Sequence, residues 1–107
     1  MKQFANSPKP PYYAVIFTSI LSSDIDGYES TAEKMISLAL NQSGFLGVES
    51  ARNEIGITVS YWSDLESISK WKNQLDHIQA QTLGKEKWYS SYKVRISRVE
   101  KEYSFPI

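Results

Sequence analysis

Ten consecutive residues, YYAVIFTSIL at Tyr12–Leu21, are dominated by apolar side chains on both parities of a strand. One parity carries Tyr13, Val15, Phe17, Ser19 and Leu21, the other Tyr12, Ala14, Ile16, Thr18 and Ile20. Successive side chains of a strand point to opposite faces, so a strand of this kind must be covered on both. In a chain of 107 residues that is a severe demand. A chain of this length is one domain, with two layers to offer and no third.

The spacing beyond Leu21 sets what those layers are. Residues 22–27, SSDIDG, form a turn. From Tyr28 to Gln42 the apolar period lengthens to that of a helix, with Tyr28, Ala32, Met35, Ile36, Ala39 and Leu40 on one face and Glu29 and Glu33 opposite. Gly44 ends that helix. Residues 45–52, FLGVESAR, make a second strand. Asn53-Glu54-Ile55-Gly56 is a turn in which Gly56 is expected to take a positive φ, and Arg52 beside it reads as a solvated edge charge. Residues 57–62, ITVSYW, are a third strand with Ile57, Val59 and Tyr61 on one face and Thr58, Ser60 and Trp62 on the other.

Ser63-Asp64-Leu65-Glu66 has the form of a capping box, the Ser63 hydroxyl accepting from the third helical amide and Glu66 reaching back. The helix that follows carries Leu65, Ile68, Trp71, Leu75 and Ile78, and Gly84 ends it or a short continuation. Trp88-Tyr89 falls in a return loop. Residues 91–103 are a last strand, where Tyr92, Val94 and Ile96 alternate and the opposite parity of Val99 predicts a bulge near Ser97-Arg98. The chain thus divides into an extended arm over 1–11, set by Pro8, Pro10 and Pro11, a domain over 12–103, and a tail over 104–107. The closing YSFPI is apolar and calls for a surface to dock on.

The order βαββαβ is that of a ferredoxin-like α+β protomer, one antiparallel sheet with two helices on one face. The other face is bare in a single copy, yet the first strand is apolar there. A second copy packed sheet to sheet meets the requirement, so a homodimer joined through the sheet face is expected.

Composition removes several classes of function. Twelve Lys and Arg balance twelve Asp and Glu, and Lys70, Lys72, Lys85 and Lys87 are scattered, which argues against nucleic acid or an anionic membrane as partner. There is no cysteine, hence no disulfide and no thiolate nucleophile, and one histidine without cysteine does not make a zinc site. The sequence has no apolar run of spanning length and no secretory h-region, so a cytoplasmic location is the expectation. No glycine-rich phosphate loop and no Ser/His/Asp relay are present.

What remains is aromatic. His77, unique in the chain, titrates near neutrality and is the candidate base. Trp62, Trp71 and Tyr61 are candidates to line a pocket for a small aromatic, with Glu49 and Gln81 as polar contacts. The same indoles also serve as ordinary core, and a lone histidine on an amphipathic helix is more often a packing or solvent-facing residue.

The segments GFLGVES from Gly44, GITVSYW from Gly56, and Trp71-Lys72 through His77 to Gln81 and Gly84 together resemble the antibiotic biosynthesis monooxygenase (ABM) family of dimeric α/β barrels; Trp88-Tyr89 and Tyr92 to Val99 extend the likeness over residues 12–103. The resemblance implies a ferredoxin-like protomer, a dimeric barrel, and a pocket between each sheet and its helices. It implies O₂-dependent, cofactor-independent oxidation of a small quinol-like aromatic for some members and haem degradation for others. The haem-degrading members pair an Asn on the first strand with a Trp and, ten residues on, a His. Here Trp71 matches the Trp, Gln81 stands at the His position, His77 lies one turn earlier, and the first strand has no Asn. The leading expectation is a monooxygenase without metal or cofactor. The alternative is a non-catalytic dimeric module that binds a small molecule, and a haem protein ranks third.

Overall fold

The computed structural model describes residues 4–82 and 88–106, and the side chains of residues 77–82 lie outside that description. The elements are β1 (Tyr12–Leu21), α1 (Tyr28–Ala39), β2 (Phe45–Arg52), β3 (Gly56–Trp62), α2 (Leu65–Thr82) and β4 (Tyr89–Val99). The four strands form one antiparallel sheet in the order β2-β3-β1-β4. This is the expected α+β ferredoxin-like fold, with the two-sided strand β1 at its centre.

Strand register assigns each side chain to a face. On the face toward the helices, rows run across all four strands: Phe45, Trp62, Tyr13 and Arg98; Val48, Ser60, Val15 and Ile96; Ser50, Thr58, Phe17 and Val94; Arg52, Gly56, Ser19 and Tyr92. The core gathers at the first of these rows. Trp62, Trp71, Ile68 and Ala39 are buried there, with Tyr13, Val15, Leu38, Phe45 and Leu75 packed against them. Burying one large aromatic contributes roughly 4–6 kcal/mol before entropy is charged, at about 25 cal/mol per Å². The opposite face carries Glu49, Val59, Ile16 and Arg95, then Ala51, Ile57, Thr18 and Lys93.

Several local expectations are corrected. The cap of α2 is Asp64, not Ser63: its carboxylate accepts the Ser67 amide at 2.7 Å, and Ser63 donates its hydroxyl to the same carboxylate at 2.8 Å. A carboxylate outcompetes a hydroxyl for a helix N-terminus because it meets both the open amides and the positive dipole end. Those bonds, the Ser67 amide first, hold the Asp64 carboxyl below the usual range. Glu66 is free to pair with Lys70 instead.

In α1 the covered face is rotated from the expected one, since Ala39 is buried and Leu38 packs on the core while Ile36 and Leu40 are exposed. Gly44 does not end α1 directly. It lies beyond a turn, at φ 85, where its carbonyl accepts the Ser63 amide at 2.8 Å. Any Cβ at Gly44 would strike Ser67 and Ser63. The pairing of β1 with β4 is regular from Tyr12↔Val99 to Ile20↔Ser91, so no bulge falls at Ser97-Arg98; the irregularity is at Ile20/Leu21. Val99 simply faces the other side of the sheet with Tyr12. Beyond β4, Tyr103 and Phe105 are fully or almost fully exposed and dock on nothing in the single chain.

The N-terminal arm lies across the sheet face away from the helices. The Ala5 amide donates to Glu49 at 2.9 Å, and the Ser7 hydroxyl donates to Glu102 at 2.8 Å. Gly47 leaves the room for Ala5, whose methyl a Cβ there would meet at 2.8 Å.

Candidate functional site

The pleat separates the aromatic candidates. Trp62 and Trp71 meet on the helix face, ring centres 6.2 Å apart, and Phe45 abuts Trp62 edge-on at 5.2 Å. The Trp62 indole N–H donates to Ser60 Oγ at 2.9 Å, so its one polar atom is satisfied within the row. Tyr61 and Glu49 are neighbours too, but on the opposite face. There the Tyr61 hydroxyl donates to Glu49 Oε1 at 2.6 Å and Tyr12 packs edge-on against the Tyr61 ring at 5.8 Å. Alternation at a strand forces this split, since adjacent residues cannot share a face. Burial and then the Glu49 carboxylate push the Tyr61 phenol far above its usual range, so it stays protonated. Tyr12 is raised by burial as well, and donates its hydroxyl to Glu102 at 2.8 Å.

His77 and Gln81 lie on α2. Their side chains are outside the described residues.

A second aromatic group stands on the helix face at the far end from Trp62. Phe17 meets Tyr89 edge-on at 5.4 Å and Tyr92 at 5.4 Å with a tilt of 37°. Tyr28, at the start of α1, stands edge-on to both Trp88 and Tyr89. Trp88 is buried, not looped out, and its indole donates to the Asp26 carbonyl at 2.8 Å. Burial and then the neighbouring Tyr28 phenol raise Tyr89 well above the ordinary phenol range, so it too remains a neutral donor. Arg52 belongs to this end as well. It is exposed, as expected of an edge charge, and its guanidinium also donates to the Ser19 hydroxyl and carbonyl across β3.

Between the two aromatic ends the helix face is partly open. Tyr92, Val94 and Ile96 on β4 are 40%, 46% and 52% exposed, whereas Trp62 is wholly buried. On this face the Trp62–Trp71 pair stands at one end and Phe17, Tyr28 and Tyr89 at the other, with apolar side chains of β1 and β4 and the hydroxyls of Ser50, Thr58 and Ser60 in the rows between. The Tyr28–Tyr89 end was missed in the sequence, although the shared parity of Phe17 and Ser19 with Trp62's row, together with the 3.6-residue face beginning at Tyr28, carried the signal. Among the described residues no cluster of three or more His, Cys, Asp or Glu is arranged to hold a metal, and no helix is long and apolar enough to cross a membrane.

This fold is that of the antibiotic biosynthesis monooxygenases. It is similar to SnoaB, a cofactor-independent oxygenase from Streptomyces nogalater, with TM-score 0.66 at 10% identity, over 92% of this chain and 100% of that one. It is also similar to PA3566 from Pseudomonas aeruginosa, with TM-score 0.67 at 13% identity, over 91% and 100% of the two chains. A Bordetella bronchiseptica protein classed with the antibiotic biosynthesis monooxygenases superposes with TM-score 0.64 at 14% identity, over 82% of this chain and 96% of that one. No family model matches the sequence. In sequence the chain is 47% identical over 107 residues to YqjZ, an uncharacterised protein of Bacillus subtilis (strain 168), covering 98% of this chain and 94% of YqjZ. The chain belongs to the YqjZ family, and its fold is that of the ABM family.

Proposed function

We propose that the protein is an ABM-type monooxygenase that oxidises a small electron-rich phenol with O₂ and no cofactor, in the cleft between Trp62–Trp71 and Tyr28–Tyr89. The observation that supports this reading is the pair of aromatic groups at the two ends of the helix face, with partly exposed apolar side chains of β4 between them, in a fold shared with a cofactor-independent oxygenase. Aromatic walls orient a planar ring, and the hydroxyls of Ser50, Thr58 and Ser60 offer partners to its oxygens.

The reaction needs no outside reductant. Removal of the phenol proton leaves a phenolate, which gives electron density to O₂, and a C–O bond forms at the ring carbon para to the oxygen. Loss of that carbon's proton breaks the O–O bond and leaves a quinone and water. One O₂ is consumed per phenol, with one oxygen atom in the quinone and the other in water. His77 is the proposed base, since imidazole accepts a proton near neutral pH.

The active unit we propose is a homodimer. The face bearing Ile16, Ile57 and Val59 is packed against a second copy, as the two-sided character of β1 demands.

The test is oxygen consumption by metal-free protein against a panel of phenols and quinols. Turnover above the blank, lost in His77→Phe, is expected; no turnover removes the reading, and full activity in His77→Phe removes the role of His77. A second reading, a non-catalytic module that retains a small hydrophobic ligand, is motivated by the Ser60 bond that already occupies the Trp62 N–H and by the neutral, protonated state of Tyr89. Native mass spectrometry of freshly purified protein separates the two, since a retained ligand without oxygen turnover favours the module.

A further inference from the structure

The row nearest the β2–β3 turn on the helix face is Arg52, Gly56, Ser19 and Tyr92. Gly56 is not among the positive-φ glycines of the chain, so the expected turn conformation is not what the position requires. Its requirement is room. A Cβ there would overlap the Arg52 guanidinium at Cζ and Nη2.

Through that room the guanidinium crosses β3 and donates to the Ser19 hydroxyl and, at 3.4 Å, to the Ser19 carbonyl. Ser19 is 1% exposed, so a neutral, buried residue fixes one side of the guanidinium while Arg52 itself stays exposed. Among the described residues the ion pairs are Lys70–Glu66, Lys72–Asp76 and Arg98–Glu100, and none involves Arg52. A guanidinium carries five N–H donors in a rigid fork matched to carboxylate geometry. Ser19 engages two of its nitrogens, which leaves the fork with donors to spare.

Beside it stand the rings. Tyr92 follows in the same row, and Phe17 packs on Tyr92 with a tilt of only 37°. Tyr92 and Val94 remain 40% and 46% exposed.

We propose that Arg52 is an anion-holding subsite at this end of the cleft: the ligand is an aromatic whose ring lies against Phe17 and Tyr92 and whose carboxylate or phenolate oxygen is bound by the guanidinium. The proposal rests on the cleft being the binding site argued above and adds its chemical class. Tyr89, kept protonated by burial and by the Tyr28 phenol, presents no competing charge to such an anion.

The experiment is calorimetric titration of the full chain, without oxygen, with pairs of probes that differ in charge: 2-naphthoate against 2-naphthamide, and 4-nitrophenolate against 4-nitroanisole. The wild type is expected to bind at least one anion about tenfold or more tightly than its neutral counterpart, and the stronger pair tells carboxylate from phenolate. Arg52→Gln should abolish the preference. Gly56→Ala keeps the charge in the sequence but fills the room it needs, and should do the same; Arg52→Lys, which keeps a point charge and loses the fork, should fall between. Circular dichroism checks that each variant is folded, and should Arg52→Gln fail to fold, the other two variants decide.

A wild type that binds anion and neutral probe alike, or neither, overturns the proposal, as does an undiminished preference in Arg52→Gln or Gly56→Ala. Because binding is read without turnover, a chain that selects anions through Arg52 yet consumes no oxygen sinks the monooxygenase reading and leaves the subsite standing.

Discussion

Single residues divide the two faces of the sheet by chemistry. Trp62 and Trp71 are core residues, and truncation of either tests that role directly. Trp62→Ala should cost about 3–5 kcal/mol in urea unfolding, the usual cost of a large aromatic removed from a packed site; a loss under about 1 kcal/mol would mean the indole is not the keystone its complete burial indicates. On the other face Tyr61 and Tyr12 donate to carboxylates, and both phenols are raised by burial and by those carboxylates. The sign of the linkage follows. Their stabilising contribution is intact below about pH 10, where unfolded phenols begin to ionise, and is lost as the pH rises beyond that, because the unfolded chain gives up protons that the folded one keeps. The unfolding midpoint should fall between pH 9 and 11, and Tyr61→Phe should flatten that fall. An equal fall in wild type and variant would contradict the assignment.

At the level of elements, the α2 cap is the clearest local device. Asp64→Ala should lower the urea midpoint of unfolding, and Ser63→Ala should lower it less, since Asp64 and not Ser63 takes the Ser67 amide. The reverse order in chemical unfolding would restore the capping box first expected at Ser63 and Glu66. The six elements themselves were legible in the sequence because each has a strong period or a clear terminator: β1 by its two apolar parities, β3 by strict alternation, α2 by the spacing of Ile68, Trp71 and Leu75. Finer features depend on tertiary competition that one sequence does not display. Ile36 and Leu40 look as apolar as Leu38 and Ala39, and only the direction of approach of the sheet decides which pair is covered. Gly56 looks like a turn glycine until Arg52 is found lying over it. The parity of Val99 reads equally as a bulge or as a residue facing the other side, and the register with Tyr12 settles it. For the candidate site, Trp62 and Trp71 stood out because they are large and regularly spaced. Phe17, Tyr28 and Tyr89 were not, because their meeting joins three elements distant in sequence.

For the molecule as a whole, one face is partly covered by helices, and on the other the N-terminal arm lies at one end. The Ile16, Ile57 and Val59 surface, together with the exposed Tyr103 and Phe105, is what a second copy would cover. Light scattering should return twice the 12.2 kDa chain mass, and Ile57→Lys, which alters a side chain 46% exposed in the single chain, should give a folded monomer; a monomeric wild type would remove the dimer. The central claim is that this fold performs oxygen insertion unaided by a cofactor. The most direct measurement is turnover of an active phenol under ¹⁸O₂ by metal-free protein, with mass analysis of the product. One labelled oxygen in the quinone carbonyl, with one O₂ consumed per product, is the expected result. An unlabelled quinone formed with hydrogen peroxide, or no product above the blank across the phenol panel, would contradict it.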